Sequence, residues 1–120
     1  MSNRSTREAR ALVEGLLLAG VDEVVVAPGS RNGPLSIALA QAAASGALRM
    51  HVRVDERSAA FLALGLSRRN HHPAAVVCTS GTAAAHLHAA AYEATESGVP
   101  LLLITADRPA ALRGTGANQT

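Results

Sequence analysis

Glu23-Val24-Val25-Val26-Ala27-Pro28-Gly29 is the stretch on which the fold turns. Three consecutive valines stopped by Pro-Gly have the composition of a strand buried on both faces, not of one alternating between core and water. Such runs belong to parallel sheets covered by helices. Toward the N-terminus, Ser5-Thr6-Arg7-Glu8 offers an N-cap at Ser5 with Glu8 three positions on. Ala9, Leu12, Val13, Leu16 and Leu17 then recur at helical spacing up to Gly20, which predicts a capped amphipathic helix.

Toward the C-terminus, Pro34 starts a second helix through Ala44, closed by Gly46, and Met50 to Val54 reads as a second strand. Asp55 opens a helix reaching about Arg69. After the polar turn Asn70-His71-His72-Pro73, Ala74 to Thr79 is a third buried strand, and Gly81 to Glu96 reads as one long Ala-rich helix ended by Gly98. Pro100 to Thr105 is a fourth strand. Arg108-Pro109 and Gly114-Thr115-Gly116 show no periodicity. Strands separated by helices of roughly 10–15 residues predict right-handed βαβ units. The fold class is α/β: a parallel sheet with helices on both faces.

A chain of 120 residues with 48% hydrophobic and 17% charged content is one domain, able to build a core without disulfides or metals. All 11 basic residues are Arg, so there is no Lys for a Schiff base or a phosphate-binding P-loop. A net charge of +2 with only 2% aromatic residues provides neither a strong positive field nor a stacking platform, which argues against nucleic acid. Cys78 stands alone in an apolar run and reads as a buried small hydrophobe, consistent with a reducing cytoplasm. The sequence shows neither a signal peptide nor a membrane span.

Each strand is followed by the most constrained and least apolar residues of its neighbourhood. The four segments are Pro28-Gly29-Ser30-Arg31, Asp55-Glu56-Arg57, Thr79-Ser80-Gly81-Thr82 and Ala106-Asp107-Arg108-Pro109. Open α/β sheets bind ligands outside the carboxyl ends of their strands, so four such segments together favour a site there. Gly29-Ser30-Arg31-Asn32-Gly33 lacks the spacing of the dinucleotide fingerprint, and Gly114-Thr115-Gly116-Ala117-Asn118-Gln119 lacks its final small residue and follows no strand directly. On local sequence Glu56 reads as an acid decorating a helix N-terminus capped by Asp55, with a protonation state set by burial. Arg31 and Arg108 suit carboxylate ligands, or a salt bridge such as one from Asp107. His86 and His88, two apart on a predicted helix, cannot chelate a metal together, and His71 and His72 read as solvated turn residues.

With all four segments in view, the chain resembles the N-terminal pyrimidine-binding domain of thiamine-diphosphate enzymes. More narrowly it resembles the 2-succinyl-5-enolpyruvyl-6-hydroxy-3-cyclohexene-1-carboxylate synthase family of menaquinone biosynthesis. The carrying segments are APGSRNGPL (27–35), HVRVDERSAAFLALGL (51–66), TSGTAAAHL (79–87) and ESGVPLLLITADRPAALRGTGANQT (96–120). The resemblance implies that Glu56 is catalytic, activating the cofactor through N1′ of its aminopyrimidine ring. It implies that Ser30, Arg31, Arg108, Asn118 and Gln119 contact substrate, and that Thr79, Ser80, Gly81 and Thr82 frame the cofactor pocket. The implied reaction decarboxylates 2-oxoglutarate and adds the succinyl carbanion to isochorismate, so both substrates are dianions. Residues 1–120 would form an incomplete pyrimidine-binding domain of a homo-oligomer. The middle domain and the domain holding the diphosphate through Mg²⁺ would lie outside this chain, leaving it inert alone. Two other readings stay open: another carboligase of the same cofactor class, resembling acetolactate synthase, or a noncatalytic binding or oligomerisation module.

Overall fold

The valine run lies at the centre of the molecule. In the structure, a computed structural model that describes residues 3–107, 109–112 and 114–115, it forms β1 (Glu23–Val26), all four residues of which are buried. The other elements are α1 (Arg4–Leu18), α2 (Gly33–Ala44), β2 (Arg49–Val52), α3 (Glu56–Asn70), β3 (Ala74–Cys78), α4 (Thr82–Ala85), α5 (His88–Ser97) and β4 (Leu101–Thr105). A short 3₁₀ turn covers Ala110–Leu112. The strands are parallel in the order β2-β1-β3-β4, which bears out the expected α/β class. Burial follows position: β1 and β3 are buried throughout, whereas the outer strands β2 and β4 are partly exposed.

Alternation along the inner strands builds two cores. Val24, Val26, Ala75 and Val77 face one side, where they pack with Ala9, Val13 and Leu16 of α1 and with Leu39 of α2. Val25, Ala74, Val76 and Cys78 face the other, against Ala59, Ala60 and Ala63 of α3 and Ala90 of α5. The small alanines on that side let the helix backbones sit close to the sheet. Among the described residues no helix is long and apolar enough to cross a membrane.

Several local expectations are corrected. The cap of α1 is Asn3, whose side chain accepts from the Thr6 N–H at 2.8 Å, so Ser5 falls inside the first turn. Glu8 is free of the capping box and instead accepts from Arg4 Nε at 2.6 Å. Strand β2 covers Arg49–Val52 rather than 50–54, because β1 offers partners only from Glu23 to Val26 and the register pairs Glu23 with Arg49 and Val26 with Val52. The expected long helix is two helices. At the break the backbone tightens into 3₁₀-type bonds, Leu87 N–H to Ala84 O at 3.2 Å and His86 N–H to Ala83 O at 3.2 Å. That tightening turns Leu87 inward, so Ala83, Leu87, Ala90 and Ala94 form one buried stripe across the interruption. His72 is half-buried rather than solvated, its Nδ1 3.7 Å from Asp22 Oδ1.

Candidate functional site

Parallel register brings the strand-end segments to one edge of the sheet. The last rungs are Arg53 N–H to Val26 O at 3.0 Å, Ala27 N–H to Val77 O at 2.9 Å and Ala106 N–H to Cys78 O at 3.1 Å. Beyond these rungs the chain leaves the sheet at all four strands on the same side. Chain order reverses between β1 and β3, since β1 continues through α2 to β2 on one flank while β3 lies on the other. That reversal is where open α/β sheets open a crevice.

The two segments flanking the reversal touch. A Cβ added at Gly29 would lie 2.4 Å from Thr79 Cβ and 2.7 Å from its Cγ2, so only glycine permits this approach. Thr79 and Ser80 are buried, at 5% and 1% exposure, yet among the described residues neither Oγ1 of Thr79 nor Oγ of Ser80 has a hydrogen-bond partner. Gly81 follows at φ 71° and ψ −133°, a backbone conformation reserved to glycine, and turns the chain into α4 at Thr82. Buried hydroxyls without partners cost free energy, and a ligand carrying its own donors and acceptors would satisfy them.

Glu56 is the first residue of α3 and is half-buried there. Asp55 before it caps the helix, accepting from Arg57 N–H at 3.1 Å and from the Ser58 hydroxyl at 3.0 Å. These hydrogen bonds, with a smaller contribution from the His86 charge, hold the Asp55 carboxyl below the usual carboxylate range. The helix N-terminus adds a positive potential around Glu56. Its negative charge reaches the end of β3: burial first, and then Glu56, push the Cys78 thiol up to about 11. Glu56 thus lies within electrostatic reach of Cys78.

Ser30 and Arg31 form a second group. Both are exposed, and with Ser5, Pro34, Asp107, Pro109 and Ala110 they line a hollow of about 380 Å³. An adjoining hollow of about 240 Å³ runs from Arg31 along Ser5, Glu8 and Leu12 of α1. Arg31 stands where the two meet. Glu56 and the 79–82 segment line neither hollow. Arg108, Asn118 and Gln119, also expected at substrate, lie outside the described residues. Among the described residues a further hollow, about 740 Å³, opens at the opposite end of the sheet beside Glu23 and Arg49, away from all four segments. Among the described residues no three His, Cys, Asp or Glu side chains gather to hold a metal ion.

Two contributors were not anticipated. Ser5 of α1 reaches the Arg31 hollow, and Asn32 braces the first segment with its buried amide. An Asn before Gly-Pro signals a helix cap, but not a side chain folded back into the preceding turn.

Residues 6–120 match the family described as thiamine pyrophosphate enzyme, N-terminal TPP binding domain. Among curated relatives, 2-succinyl-5-enolpyruvyl-6-hydroxy-3-cyclohexene-1-carboxylate synthase of Saccharopolyspora erythraea is 59% identical over 118 residues, 98% of this chain and 21% of that protein. The protein of that name from Nocardioides sp. is 61% identical over 116 residues, 97% of this chain and 21% of its own length. The one from Thermobifida fusca is 58% identical over 118 residues, again 98% and 21%. The chain therefore spans about a fifth of the length of these relatives.

Proposed function

The chain belongs to the thiamine pyrophosphate enzymes, whose N-terminal TPP-binding domain it carries, and from that premise we propose that it forms the aminopyrimidine-binding part of a 2-succinyl-5-enolpyruvyl-6-hydroxy-3-cyclohexene-1-carboxylate synthase. The names and identities of the relatives support the narrower reading. The observation that carries it is that buried hydroxyls at Thr79 and Ser80, without partners among the described residues, end the strand whose Cys78 feels the charge of the half-buried Glu56.

These residues fit an aminopyrimidine ring, a flat group rich in donors and acceptors. When bound, thiamine diphosphate supplies the electron sink for decarboxylation and carbon–carbon bond formation that no side chain provides. Glu56 would hold ring nitrogen N1′ and exchange a proton with it from its half-buried position at the start of α3. Thr79 and Ser80 offer their hydroxyls to the ring, while Gly81 and Thr82 shape the pocket wall. Ser30 and Arg31 receive a carboxylate of 2-oxoglutarate or isochorismate, Arg31 as a planar fork matching carboxylate geometry. Arg108, Asn118 and Gln119 complete that contact.

The diphosphate and its Mg²⁺ are held by a part of the protein outside this chain, in a homo-oligomer in which the pocket is finished by another subunit. The chain alone is therefore inert. The lone buried thiol suits a cytoplasmic enzyme.

Glu56→Gln in the complete enzyme tests the reading, with turnover of 2-oxoglutarate plus isochorismate as the readout. A fall in kcat of about 10²–10⁴ is expected from losing one positioned proton-transfer group. Activity retained within about threefold would remove Glu56 from the chemistry.

A further inference from the structure

We infer that Asn32 is a positioning residue that sets the shape of the segment presenting Ser30 and Arg31, an assignment that rests on reading those two side chains as substrate contacts. Asn32 occupies the N-cap of α2, yet its side chain makes no capping bond. The amide is 1% exposed and turned back into the preceding turn. Its Oδ1 accepts from the Gly29 N–H at 2.9 Å and its Nδ2 donates to Ala27 O at 3.0 Å. Ala27 is itself the last rung between β1 and β3, through its N–H to Val77 O at 2.9 Å. The Asn32 backbone carbonyl meanwhile accepts from Ser36 N–H at 2.8 Å and so starts α2.

One residue thus fastens the end of the sheet ladder, the tight turn at Gly29 and the first turn of a helix. The segment between is a small ring closed around the amide. Ser30 and Arg31, inside that ring and outside its hydrogen bonds through the amide, are exposed and line the hollow with Asp107. The chemistry of the brace is specific. It needs one acceptor and one donor on a planar group of this length, at a buried point where an unmet polar atom is costly. An ionised Asp supplies two acceptors and would face the Ala27 carbonyl without a proton to share. A Ser is too short to span both partners.

The test uses the full-length enzyme with variants Asn32→Asp, Asn32→Ser and Arg31→Ala. It measures KM and kcat for 2-oxoglutarate and isochorismate, and hydrogen exchange of the Gly29 amide by mass spectrometry of overlapping peptides. In the unaltered enzyme the Gly29 amide is expected to exchange slowly despite lying in a turn. Fast exchange there would overturn the brace, and this readout stands even if the variants do not fold. Both Asn32 variants should raise KM for at least one substrate by about 10- to 100-fold, the effect of a misplaced binding group, with kcat within about threefold. A Gly29 amide freed in the variants with KM unchanged would overturn the positioning role. Arg31→Ala separates the two levels. If Arg31→Ala leaves both KM values unchanged, the substrate-contact reading fails, and the exchange data alone decide whether Asn32 shapes the segment.

Discussion

His51 Nε2 lies 2.6 Å from Glu23 Oε2, joining the outer strand β2 to the central strand β1 through a carboxylate only 7% exposed. His51 is the register partner of Val25, two residues along from Glu23 on the same face, so parallel pairing brings the two side chains together diagonally. Arg49 also approaches Glu23, at 3.5 Å, but its side chain is 79% exposed. The imidazole should therefore carry more of the pairing than the guanidinium. His51→Ala leaves a buried acceptor short of a partner and is expected to cost about 1–3 kcal/mol in equilibrium urea unfolding. Arg49→Ala should cost less than about 1 kcal/mol, as solvent-screened pairs do. Equal costs would reverse that ranking.

Contact between Gly29 and Thr79 gives the second prediction. Gly29→Ala places its Cβ within 2.4 Å of Thr79 Cβ, so one segment must shift. Overpacking of this kind costs about 1–3 kcal/mol, and here the displaced groups are those proposed for the pocket. Gly29→Ala is expected to lower both the thermal midpoint and cofactor affinity. Thr79→Ser does not relieve the clash, because the Cβ remains, whereas Thr79→Gly does. Recovery of the thermal midpoint by Gly29→Ala combined with Thr79→Gly, but not with Thr79→Ser, would establish the contact as the cause.

Much of this architecture was legible because it depends on runs of residues. The valines of β1 and the alanine-valine run of β3 announce strands buried on both faces, and their Pro-Gly and Ser-Gly ends announce where the chain turns. What escaped depends on pairing across distance. Nothing near Glu23 signals a buried acid, since its partner comes 28 residues later. The break in the expected long helix coincides with a buried Leu87 and with no Gly or Pro in the helix. The end of β2 is decided by where β1 stops offering partners. In the site, Glu56 is unremarkable among helix-start acids until the fold brings its charge within reach of Cys78. Asn32 drew no role from the sequence, and only the closed turn shows its amide tying Gly29 to Ala27.

Asp55 sets a pH dependence of known sign. Hydrogen bonds from Ser58 and Arg57 hold its carboxyl below the usual range, so the folded chain favours the ionised form more than the unfolded chain does. Its capping contribution is full above the ordinary aspartate pKa of about 3.9 and is lost as pH falls through the lowered folded value. The difference in thermal midpoint between the unaltered protein and Asp55→Ala should be constant across neutral pH and shrink in strong acid. Asn caps helices without ionising, so Asp55→Asn should keep its own advantage over Asp55→Ala at every pH. A gap between the unaltered protein and Asp55→Ala that persists unchanged into strong acid would mean that the charge contributes nothing to the cap.

Cys78 carries the opposite dependence at the alkaline end. The thiol is fully buried, donates to Thr79 O at 3.3 Å, and is pushed from an ordinary 9.0 up to about 11 by burial and by the Glu56 charge. The folded chain therefore keeps a proton that the unfolded chain releases. Stability from this group is full below pH 9.0 and declines as pH rises through about 11. Cys78→Ala removes the decline, so the difference in urea midpoint between it and the unaltered protein should narrow or reverse across that window. At neutral pH the thiolate fraction in the folded chain is about a hundredfold below that of the unfolded chain, and alkylation should be slower by at least that factor. Because Glu56 contributes to the shift, Glu56→Gln should lower the thiol pKa and speed alkylation in the folded state. An unchanged alkylation rate in that variant would show that the Glu56 charge does not reach the end of β3, and the pairing on which the pocket is built would lose its electrostatic support.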